Sequence, residues 1–309
     1  MSNHSPAYLG VDGGGTKTTV VIVDAFGTEI ARSTAPTSNP SVIGIEAASR
    51  VVFDGISAAE SMLPAGFEVL SGWVGLSGFG RPEDHQALRP ILERLIPEIH
   101  MGNDIELVLA GLPNAVGIAL ISGTGSIVAG SNSEGTFVRV GGWGHVFGDE
   151  GSGYAIGRDA LKAIARSIDG LGPETTLNQL ILGELGIDHS RPFDLISRIY
   201  APSMDKAGIA SLAKFPLDQA HSGDAVSLRI VQNAANDLAD MATTAARRLG
   251  FVDRLPVALT GGNLLHILIL RNLVLARLQE TWHVVEPVIV IDPALSAARS
   301  LAGVVEIPE

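Results

Sequence analysis

A glycine-rich motif that occurs twice with the same internal spacing constrains the fold more than any other feature of this sequence. Gly15-Thr16 and Gly27-Thr28 stand 12 positions apart, and Gly123-Thr124 and Gly135-Thr136 repeat that spacing 108 positions later. Apolar and β-branched segments flank the first cluster of each half, which is typical of two strands joined by a tight turn. We therefore expect an internal duplication in which each half opens with an antiparallel meander.

Strand and helix patterns alternate along both halves, which predicts a mixed α/β fold. The predicted strands cover residues 8–12, 19–24, 28–33, 117–121, 127–130, 136–140, 257–260 and 288–291. The predicted helices cover residues 45–62, 82–96, a short segment after Asp104, 154–168, 174–185, 225–249, 263–279 and 294–301. The 309 residues correspond to about two average domains of ~150 residues, so we expect a ligand-binding cleft between the halves.

Composition narrows the classes of partner. The 33 acidic and 21 basic residues give a net charge of −12, which disfavours binding to nucleic acid or anionic membranes. The absence of cysteine excludes disulfides, cysteine-ligated zinc and iron–sulfur clusters, and it fits a reducing cytoplasm. The first six residues lack the apolar core of a secretory signal, and the uncharged stretch between Glu106 and Glu134 is broken by Pro113 and several glycines. We therefore expect a cytoplasmic protein that does not span a membrane.

The first glycine cluster has the composition of a phosphate-binding hairpin. It consists of Gly13, Gly14, Gly15, Thr16 and Lys17. The strand formers that follow it exclude a dinucleotide fingerprint or a P-loop, since both of these open a helix. Hairpin glycines let backbone N–H groups approach an anion, and the Thr16 hydroxyl and the Lys17 charge add donors. The alternative is an ordinary glycine hairpin that binds no ligand. Because such a hairpin occurs at the corresponding position of both halves, this alternative is less favoured.

Two aspartates occupy positions where a carboxylate can take part in phosphate chemistry. Asp12 ends the first strand beside the glycines, where it either holds Mg²⁺ near bound phosphates or starts a turn. Asp104 begins an apolar helical pattern, so it is either a helix N-cap or a general base that accepts a hydroxyl proton during attack on phosphorus. Asn103 can take the capping position and leave Asp104 free.

The densest glycine cluster lies at residues 141–153, where six glycines accompany an indole, an imidazole and two carboxylates. This composition predicts a loop in which backbone amides, the Trp143 ring and the Asp149 carboxylate bind a polar, partly apolar ligand such as a sugar. Two turns carry weaker signals. The glycines at residues 260–263 either face a flat ring or a phosphate or simply join a strand to a helix, and Asn39-Pro40 has the composition of an ordinary turn.

Taken together, these motifs resemble the N-acetylglucosamine and glucosamine kinase branch of the BadF/BadG/BcrA/BcrD-type ATPases, within the actin, hexokinase and Hsp70 superfamily. The resemblance runs from Gly10 to the C-terminal helix. It is most specific at Asn103-Asp104 and at residues 122–126 and 141–153. A sister branch activates hydroxyacyl-CoA dehydratases through an iron–sulfur cluster, and the lack of cysteine excludes that activity.

The resemblance implies two ribonuclease H-like domains with an interdomain cleft. The first comprises residues 1–113 and is completed by the C-terminal helix, and the second comprises residues 114–309 with a helical insertion. The implied ATP contacts are Gly13, Gly14, Gly15, Thr16, Lys17, Thr124, Gly261, Gly262 and Asn263. The implied sugar contacts are Asn39, Asp104, Ser126, Gly142, Trp143, Gly144 and Asp149. Asp104 would also be the catalytic base, and Asp12 the Mg²⁺ partner.

The activity that the resemblance implies is transfer of phosphate from ATP to the 6-hydroxyl of an amino sugar, with N-acetylglucosamine first and glucosamine as the alternative. Ile127 stands at the position where animal N-acetylglucosamine kinases have an asparagine. The resemblance therefore implies that this chain lacks one polar group beside the sugar. A more remote alternative is a non-enzymatic switch driven by ATP. Such a switch would need additional partner-binding segments, and we expect no segment of that length in this sequence. The expected partners are ATP, Mg²⁺, the amino sugar and a second copy of the chain.

Overall fold

The structure, a computed structural model, describes residues 4–79 and 81–304 and contains two five-stranded sheets flanked by helices. The mixed α/β class predicted from the sequence is therefore confirmed. No helix among these described residues is long and apolar enough to cross a membrane. The stretch between Glu106 and Glu134 instead forms a short helix, a single 3₁₀ turn and two strands.

The first sheet lies entirely within the first 102 residues. Its strands are β1 (Ser5–Gly13), β2 (Lys17–Asp24), β3 (Glu29–Pro36), β4 (Phe67–Leu76) and β5 (Glu98–Gly102). The helices of this part are α1 (Pro40–Ile43), α2 (Ile45–Glu60), α3 (Pro82–Leu92) and α4 (Asp104–Leu109). The strand order is β3-β2-β1-β4-β5, with β1 to β3 antiparallel and β4 and β5 parallel to β1.

The second sheet repeats this arrangement. Its strands are β6 (Gly117–Ser122), β7 (Ser126–Ser131), β8 (Phe137–Gly141), β10 (Val257–Thr260) and β12 (Val288–Ile289), while β9 (Arg254–Leu255) and β11 (His283–Val284) form a small separate pair. The meander β6-β7-β8 is antiparallel, and β10 and β12 extend the sheet in parallel on the other side of β6. The repeated glycine spacing in the sequence therefore corresponds to a repeated topology.

Helices α5 to α13 complete the fold. They are α5 (Gly153–Ile168), α6 (Leu177–Glu184), α7 (Asp194–Ile199), α8 (Lys206–Ser211), α9 (Lys214–His221), α10 (Ala225–Arg248), α11 (Gly262–His266), α12 (Leu268–Gln279) and α13 (Pro293–Leu301). The long α10 packs in the largest core cluster with the second sheet and the helices around it. The segment between β8 and β10, which contains helices α5 to α10, is an insertion into the repeated topology.

The two faces of β2 explain why the C-terminal helix returns to the first sheet. Its apolar run is buried throughout, which is typical of a strand covered on both sides. Val20 and Ile22 pack in the core cluster that contains α2, whereas Val21 and Val23 pack against α13. The approach is close enough that a Cβ on Gly10 would overlap the backbone carbonyl of Ala294. We call the first sheet with α1–α4 and α13 the first lobe, and the remainder the second lobe.

Several sequence-based predictions differ from the structure. Strands β4 and β5 and helices α7 to α9 were not predicted. The helix predicted at residues 263–279 is interrupted at Ile267, which has extended backbone angles. The helix predicted at residues 82–96 ends at Leu92, shortly after the internal Pro90.

Candidate active site

The candidate site lies where several strands of both sheets end. Register pairs Asp12 with Gly75 of β4, and Gly75 in turn with Gly102 of β5, so the ends of these three strands are aligned. In the second lobe, β6 ends at Ser122 and its parallel neighbour β10 ends at Thr260. The carboxyl ends of parallel strands meet at one edge of a sheet, which brings the predicted motifs of each lobe together at one edge.

The first glycine cluster forms the tip of the hairpin between β1 and β2. The N–H of Gly14 donates to the Lys17 carbonyl at 2.9 Å, which closes the turn. The Thr37 hydroxyl donates to the Gly14 carbonyl at 2.9 Å and anchors the tip from the side. Within the described residues, the N–H groups of Gly15 and Thr16 donate no hydrogen bond, so they are available to an anion.

The second hairpin, between β6 and β7, has its carbonyls occupied and its tip amides available. The N–H of Gly153 donates to the Gly123 carbonyl at 2.7 Å, and that of Tyr154 donates to the Thr124 carbonyl at 3.3 Å. The start of α5 is therefore bonded to the hairpin. Among the described residues, the N–H groups of Thr124 and Gly125 find no acceptor. Both lobes thus present a hairpin with the donor pattern of an anion site.

The turn between β10 and α11 packs directly onto this second hairpin. Gly261 has a φ of 89°, and a Cβ there would lie 2.5 Å from the Ser122 carbonyl oxygen. The side-chain amide of Asn263 donates to the Ser122 hydroxyl and to the Gly123 carbonyl, both at 3.1 Å. Gly262 has open space where a side chain would stand. Asn263, predicted as an ATP contact, therefore already uses its N–H donors to hold the hairpin.

Asp104 is the first residue of α4, and its neighbour takes the capping role as the sequence analysis allowed. Asn103 is the N-cap, and the Glu106 carboxylate accepts from the Asn103 N–H at 2.8 Å. Burial raises the pKa of the Asp104 carboxyl, and hydrogen bonds from the Ser77 hydroxyl and the Ile105 N–H lower this pKa by less. Asp104 is therefore a half-buried carboxyl with a higher affinity for a proton than an exposed aspartate.

Asp12 lies close enough to Asp104 for the two charges to interact. Burial, followed by the charges of Asp104 and Asp292, raises the pKa of Asp12 to about 7, while Lys17 opposes the shift. Asp292 was not predicted as a site residue. It caps α13 and pairs with Arg32 at 2.7 Å.

The donor set around Asp12 fits a cation shared with phosphates. No group of three or more His, Asp or Glu side chains with metal-binding geometry occurs in the described part of the chain. A Mg²⁺ ion is commonly held by one or two carboxylates together with phosphate oxygens and water. Asp12, placed at the hairpin and surrounded by negative charge, meets that requirement.

The glycine-rich loop between β8 and α5 is fixed to the second hairpin at two points. The Ser126 hydroxyl donates to the Glu150 carbonyl at 2.6 Å, and the Ser122 hydroxyl donates to the Gly151 carbonyl at 2.8 Å. The Trp143 ring is 62% exposed, and the Arg139 guanidinium carbon lies 5.3 Å from its centroid. The loop therefore combines an anchored base with an exposed aromatic surface.

Positive φ angles shape this loop at the predicted sugar contacts. Gly142 and Gly144 have φ angles of 69° and 85°, which glycine adopts without strain. Asp149 has a φ of 59°, which is unusual for a residue with a side chain. It is buried, and its Oδ2 lies 2.8 Å from Nζ of Lys206.

Asn39 has a capping role that the sequence analysis did not assign. Its Oδ1 accepts from the Ser41 N–H at 2.8 Å and caps α1. The side chain also approaches the loop after β4, because a Cβ on Gly78 would lie 2.5 Å from Oδ1. Asn39 is therefore beside the loop that contains Ser77, the neighbour of Asp104.

The structure contains a small interlobe cavity and a larger remote one. The cavity of about 240 Å³ is lined by residues of both lobes, namely Phe79, His85, Met101, Gly102, Asn103 and Glu106 from the first and Phe137 and Arg139 from the second. A second cavity of about 540 Å³ is apolar and lies near the starts of β10 and β12. It is therefore at the end of the second sheet away from the hairpins, whereas the smaller cavity is lined by Asn103, the neighbour of Asp104.

The sequence of this chain matches one family over nearly its whole length. Residues 9–298 match the BadF/BadG/BcrA/BcrD ATPase family, and the chain belongs to it. It is 34% identical to an N-acetyl-D-glucosamine kinase of Dictyostelium discoideum, with 94% of this chain and 96% of the relative covered. It is 38% identical to an N-acetylmuramic acid/N-acetylglucosamine kinase of Clostridium acetobutylicum, with 74% and 76% covered.

Solved structures agree on the fold. A crystal structure of a candidate N-acetylglucosamine kinase from Chromobacterium violaceum has a TM-score of 0.71 and 27% identity, with 97% of this chain and 99% of that chain covered. A glucokinase of the ROK family from Streptomyces griseus, solved with glucose and AMPPNP, has a TM-score of 0.56 at 15% identity, with 94% and 98% covered. The actin-like ATPase fold expected from the resemblance is thereby confirmed.

The predicted residues thus fall into three groups. One hairpin in each lobe, together with the turn at Gly261, forms a set of backbone donors. Asp12 and Asp104 lie together, and the loop of Trp143 and Asp149 is bonded to the second hairpin. Three further residues, Ser77, Asp292 and Lys206, contact or influence these groups, and only Asp292 carries a sequence signal, because an Asp before Pro is a helix-start pattern.

Proposed function

We propose that this chain is an ATP-dependent kinase that transfers a phosphoryl group to the 6-hydroxyl of an amino sugar, with N-acetylglucosamine as the substrate. The observation that carries the proposal is the combination of two hairpins with available tip amides and a half-buried carboxyl with a raised pKa, Asp104, at the strand ends. The relatives from Dictyostelium discoideum and Clostridium acetobutylicum, both named as kinases of N-acetylglucosamine, support the choice of sugar.

In the proposed reaction, Asp104 accepts the proton of the sugar hydroxyl while its oxygen attacks the γ-phosphorus of ATP, and ADP leaves. The amides at the tips of both hairpins, with Thr16, Lys17 and Thr124, would bind the phosphates and stabilise the charge that develops on them. The remaining proposed ATP contacts are Gly13, Gly14, Gly15, Gly261, Gly262 and Asn263. An enclosed cleft would keep water away from the phosphoryl group.

The sugar would occupy the space between Asp104 and the loop of the second lobe. The proposed contacts are Asn39, Asp104, Ser126, Gly142, Trp143, Gly144 and Asp149. An exposed indole offers an apolar face to a sugar ring, and carboxylates accept hydrogen bonds from its hydroxyls. Asp12 would hold Mg²⁺, which neutralises phosphate charge when it is bound.

We also propose a cytoplasmic homodimer and a division of the chain into domains at residues 1–113 and 114–309. The division is supported by the two sheets, which lie on either side of that boundary. Size-exclusion chromatography with light scattering would measure the oligomeric state.

The test of the proposed function is an assay of ADP release with single sugars. Turnover should depend strongly on the sugar and should be highest with N-acetylglucosamine. The sugars compared with it, each assayed alone, are glucosamine, N-acetylmuramic acid, N-acetylmannosamine and glucose. Glucosamine is the second candidate, because a glucosamine kinase of Vibrio cholerae is 27% identical over 59% of this chain. Phosphorus NMR of the product would identify the phosphorylated oxygen. ADP release that is independent of every sugar would instead favour a nucleotide-driven switch and overturn the kinase assignment.

A further inference from the structure

Lys206, at the start of α8, forms an ion pair that no prediction above includes. Its Nζ lies 2.8 Å from Asp149 Oδ2, and the two side chains are 35% and 5% exposed. Among the ion pairs of the described residues, no other carboxylate is so deeply buried. Surface ion pairs contribute little, but a buried carboxylate without its partner leaves an uncompensated charge, so this pair has a large energetic consequence.

Asp149 depends on Lys206 because few other groups satisfy its carboxylate. Its Oδ2 is buried and accepts no hydrogen bond of good geometry, which leaves the Lys206 ammonium to compensate its charge. Its backbone lies in the left-handed region, and its carbonyl accepts a hydrogen bond from the Ser152 N–H at 3.1 Å. Such a conformation costs roughly 1–3 kcal/mol and persists where the surroundings enforce it, commonly at functional sites.

The ion pair lies directly against the second hairpin. A Cβ on Gly125 would be 3.1 Å from Asp149 Oδ2 and 3.2 Å from Lys206 Nζ. The helix that carries Lys206 is also held in place, because α8 packs so closely on α5 that a Cβ on Gly157 would overlap the Ile209 carbonyl. The ammonium is thus held between the hairpin and the loop that carries Trp143.

We propose that Lys206 is a positioning residue for the sugar, which acts by holding the Asp149 carboxylate in the orientation that receives a sugar hydroxyl. This rests on the proposed function, in which Asp149 contacts the sugar. Lys206 occupies Oδ2, and within the described residues no donor reaches Oδ1, so Oδ1 is the acceptor left for the substrate. Lys206 therefore affects sugar affinity through Asp149 rather than through contact with ATP.

The alternative is that Lys206 binds a phosphate of the nucleotide, since its ammonium is close to Gly125. The two roles differ in which KM they change. A positioning role raises the KM for the sugar and leaves the KM for ATP nearly unchanged, whereas a phosphate contact does the reverse. An arginine in place of the lysine retains the charge, so a Lys206→Arg variant should recover much of the sugar affinity if charge next to Asp149 is what matters.

The experiment uses the full chain with the variants Lys206→Met, Lys206→Arg and Lys214→Met. Lys214 is the matched control, because it pairs with Glu184 at 2.7 Å on a half-exposed surface of the same insertion. We expect Lys206→Met to raise the KM for N-acetylglucosamine about tenfold or more. The KM for ATP should change less than about threefold, and the control should match the wild type.

Calorimetric titration with N-acetylglucosamine in the absence of nucleotide should give the same loss of affinity in Lys206→Met. In an Asp149→Asn background, the additional effect of Lys206→Met should disappear, because the residue through which it acts is gone. Circular dichroism would verify that each variant is folded. If Lys206→Met alone does not fold, the double variant Asp149→Asn/Lys206→Met, in which both charges of the ion pair are removed, takes its place.

Three results would overturn the inference: an unchanged sugar KM, a selective rise in the KM for ATP, or additive effects of the two substitutions. Failure of the proposed function is a different outcome. It would appear as a wild-type protein that neither binds nor phosphorylates N-acetylglucosamine, before any variant is compared.

Discussion

Asp12 and Asp104 are neighbouring carboxyls whose surroundings suit them to different tasks. Burial raises the pKa of both. Hydrogen bonding with Ser77 and with the Ile105 backbone lowers the pKa of Asp104 by less than burial raises it, which leaves Asp104 a better proton acceptor than an exposed aspartate. Asp12 is additionally repelled by Asp104 and Asp292, so a cation at this position would relieve an unfavourable potential. These surroundings support the proposed roles of proton transfer for Asp104 and cation binding for Asp12.

Replacement of Asp104 by asparagine should remove proton acceptance while preserving shape. Turnover of N-acetylglucosamine should fall by at least about 10²-fold, because general base catalysis typically contributes ~10²–10⁴ in rate. Affinity for a non-hydrolysable ATP analogue should stay within about twofold, since Asp104 is not among the hairpin donors. Steady-state kinetics and calorimetric titration would measure the two quantities. Turnover equal to that of the wild type would exclude Asp104 as the base.

The raised pKa of Asp12 predicts that ligand-free protein gains stability when this residue is neutral. Between its ordinary pKa of 3.8 and the folded value of about 7, the folded state binds more protons than the unfolded state. The contribution of Asp12 to the free energy of unfolding therefore falls as pH rises through this window. Asp12→Asn should be more stable than the wild type at pH ~8 by at least ~1 kcal/mol, with little difference near pH ~4.

Urea unfolding at the two pH values would test this prediction. The same variant should lose Mg²⁺-dependent activity, which separates a functional carboxylate from a structural one. A wild type more stable than Asp12→Asn at pH ~8 would show that the negative charge of Asp12 stabilises the folded protein, contrary to the sign derived above.

Single residues were predictable from the sequence where local chemistry defines them. The sequence left open whether Asn103 or Asp104 caps α4, and the structure shows Asn103 as the cap, a role that depends on neighbours a few positions away. The capping role of Asn39 and the bonds of Asn263 to the second hairpin were not anticipated, since the latter joins positions far apart in the chain. Lys206 was missed for the same reason: its partner Asp149 lies on a distant loop.

At the scale of elements, the second hairpin is held by contacts with three other segments. The start of α5 donates to its carbonyls, Asn263 donates to Ser122 and Gly123, and Gly261 packs against the Ser122 backbone. The tip amides are therefore fixed before any ligand arrives. Such preorganised donors stabilise developing charge without a cost of reorientation.

Gly261→Ala should disturb this arrangement more than a change at the next residue. The new Cβ would lie 2.5 Å from the Ser122 carbonyl oxygen, and the φ of 89° is strained for alanine. We expect the free energy of unfolding to fall by more than ~2 kcal/mol, whereas Gly262→Ala, with open space at its Cβ, should change it by less than ~0.5 kcal/mol. Chemical denaturation of both variants would measure this, and equal stabilities would contradict the packing described here.

The strands of the two meanders were predictable from the sequence, whereas two other strands of the first sheet and three helices of the second lobe were not. The six meander strands were anticipated because glycine clusters separate their apolar runs. Strands β4 and β5 were missed; β5 has only five residues, of which Gly102 alone is buried, and it contains His100. Helices α7 to α9 are short and few of their side chains are fully buried, so their periodicity is weak.

For the whole molecule, the first lobe depends on a helix from the far end of the chain. Ala294 and Ala298 of α13 are fully buried against Val21 and Val23 of β2. Ala298→Asp would place a charge in this interface with no room for water, so we expect a loss of several kcal/mol in the free energy of unfolding. Ser300→Asp, at a half-buried position on the same helix, should cost less than ~1 kcal/mol. Thermal unfolding would compare them, and equal melting temperatures would rule out a tight α13 interface.

The approach of α13 to Gly10 also has a consequence for biosynthesis. The strand that carries Asp12 is synthesised before the second lobe, but the helix that covers its sheet is synthesised after the second lobe. Until α13 is made, the apolar face of the first sheet that it covers stays exposed to water. Folding then requires contacts between segments that are far apart in the sequence, and such contacts form slowly. We therefore expect the face of the first sheet that α13 covers to be completed only after the second lobe has been synthesised.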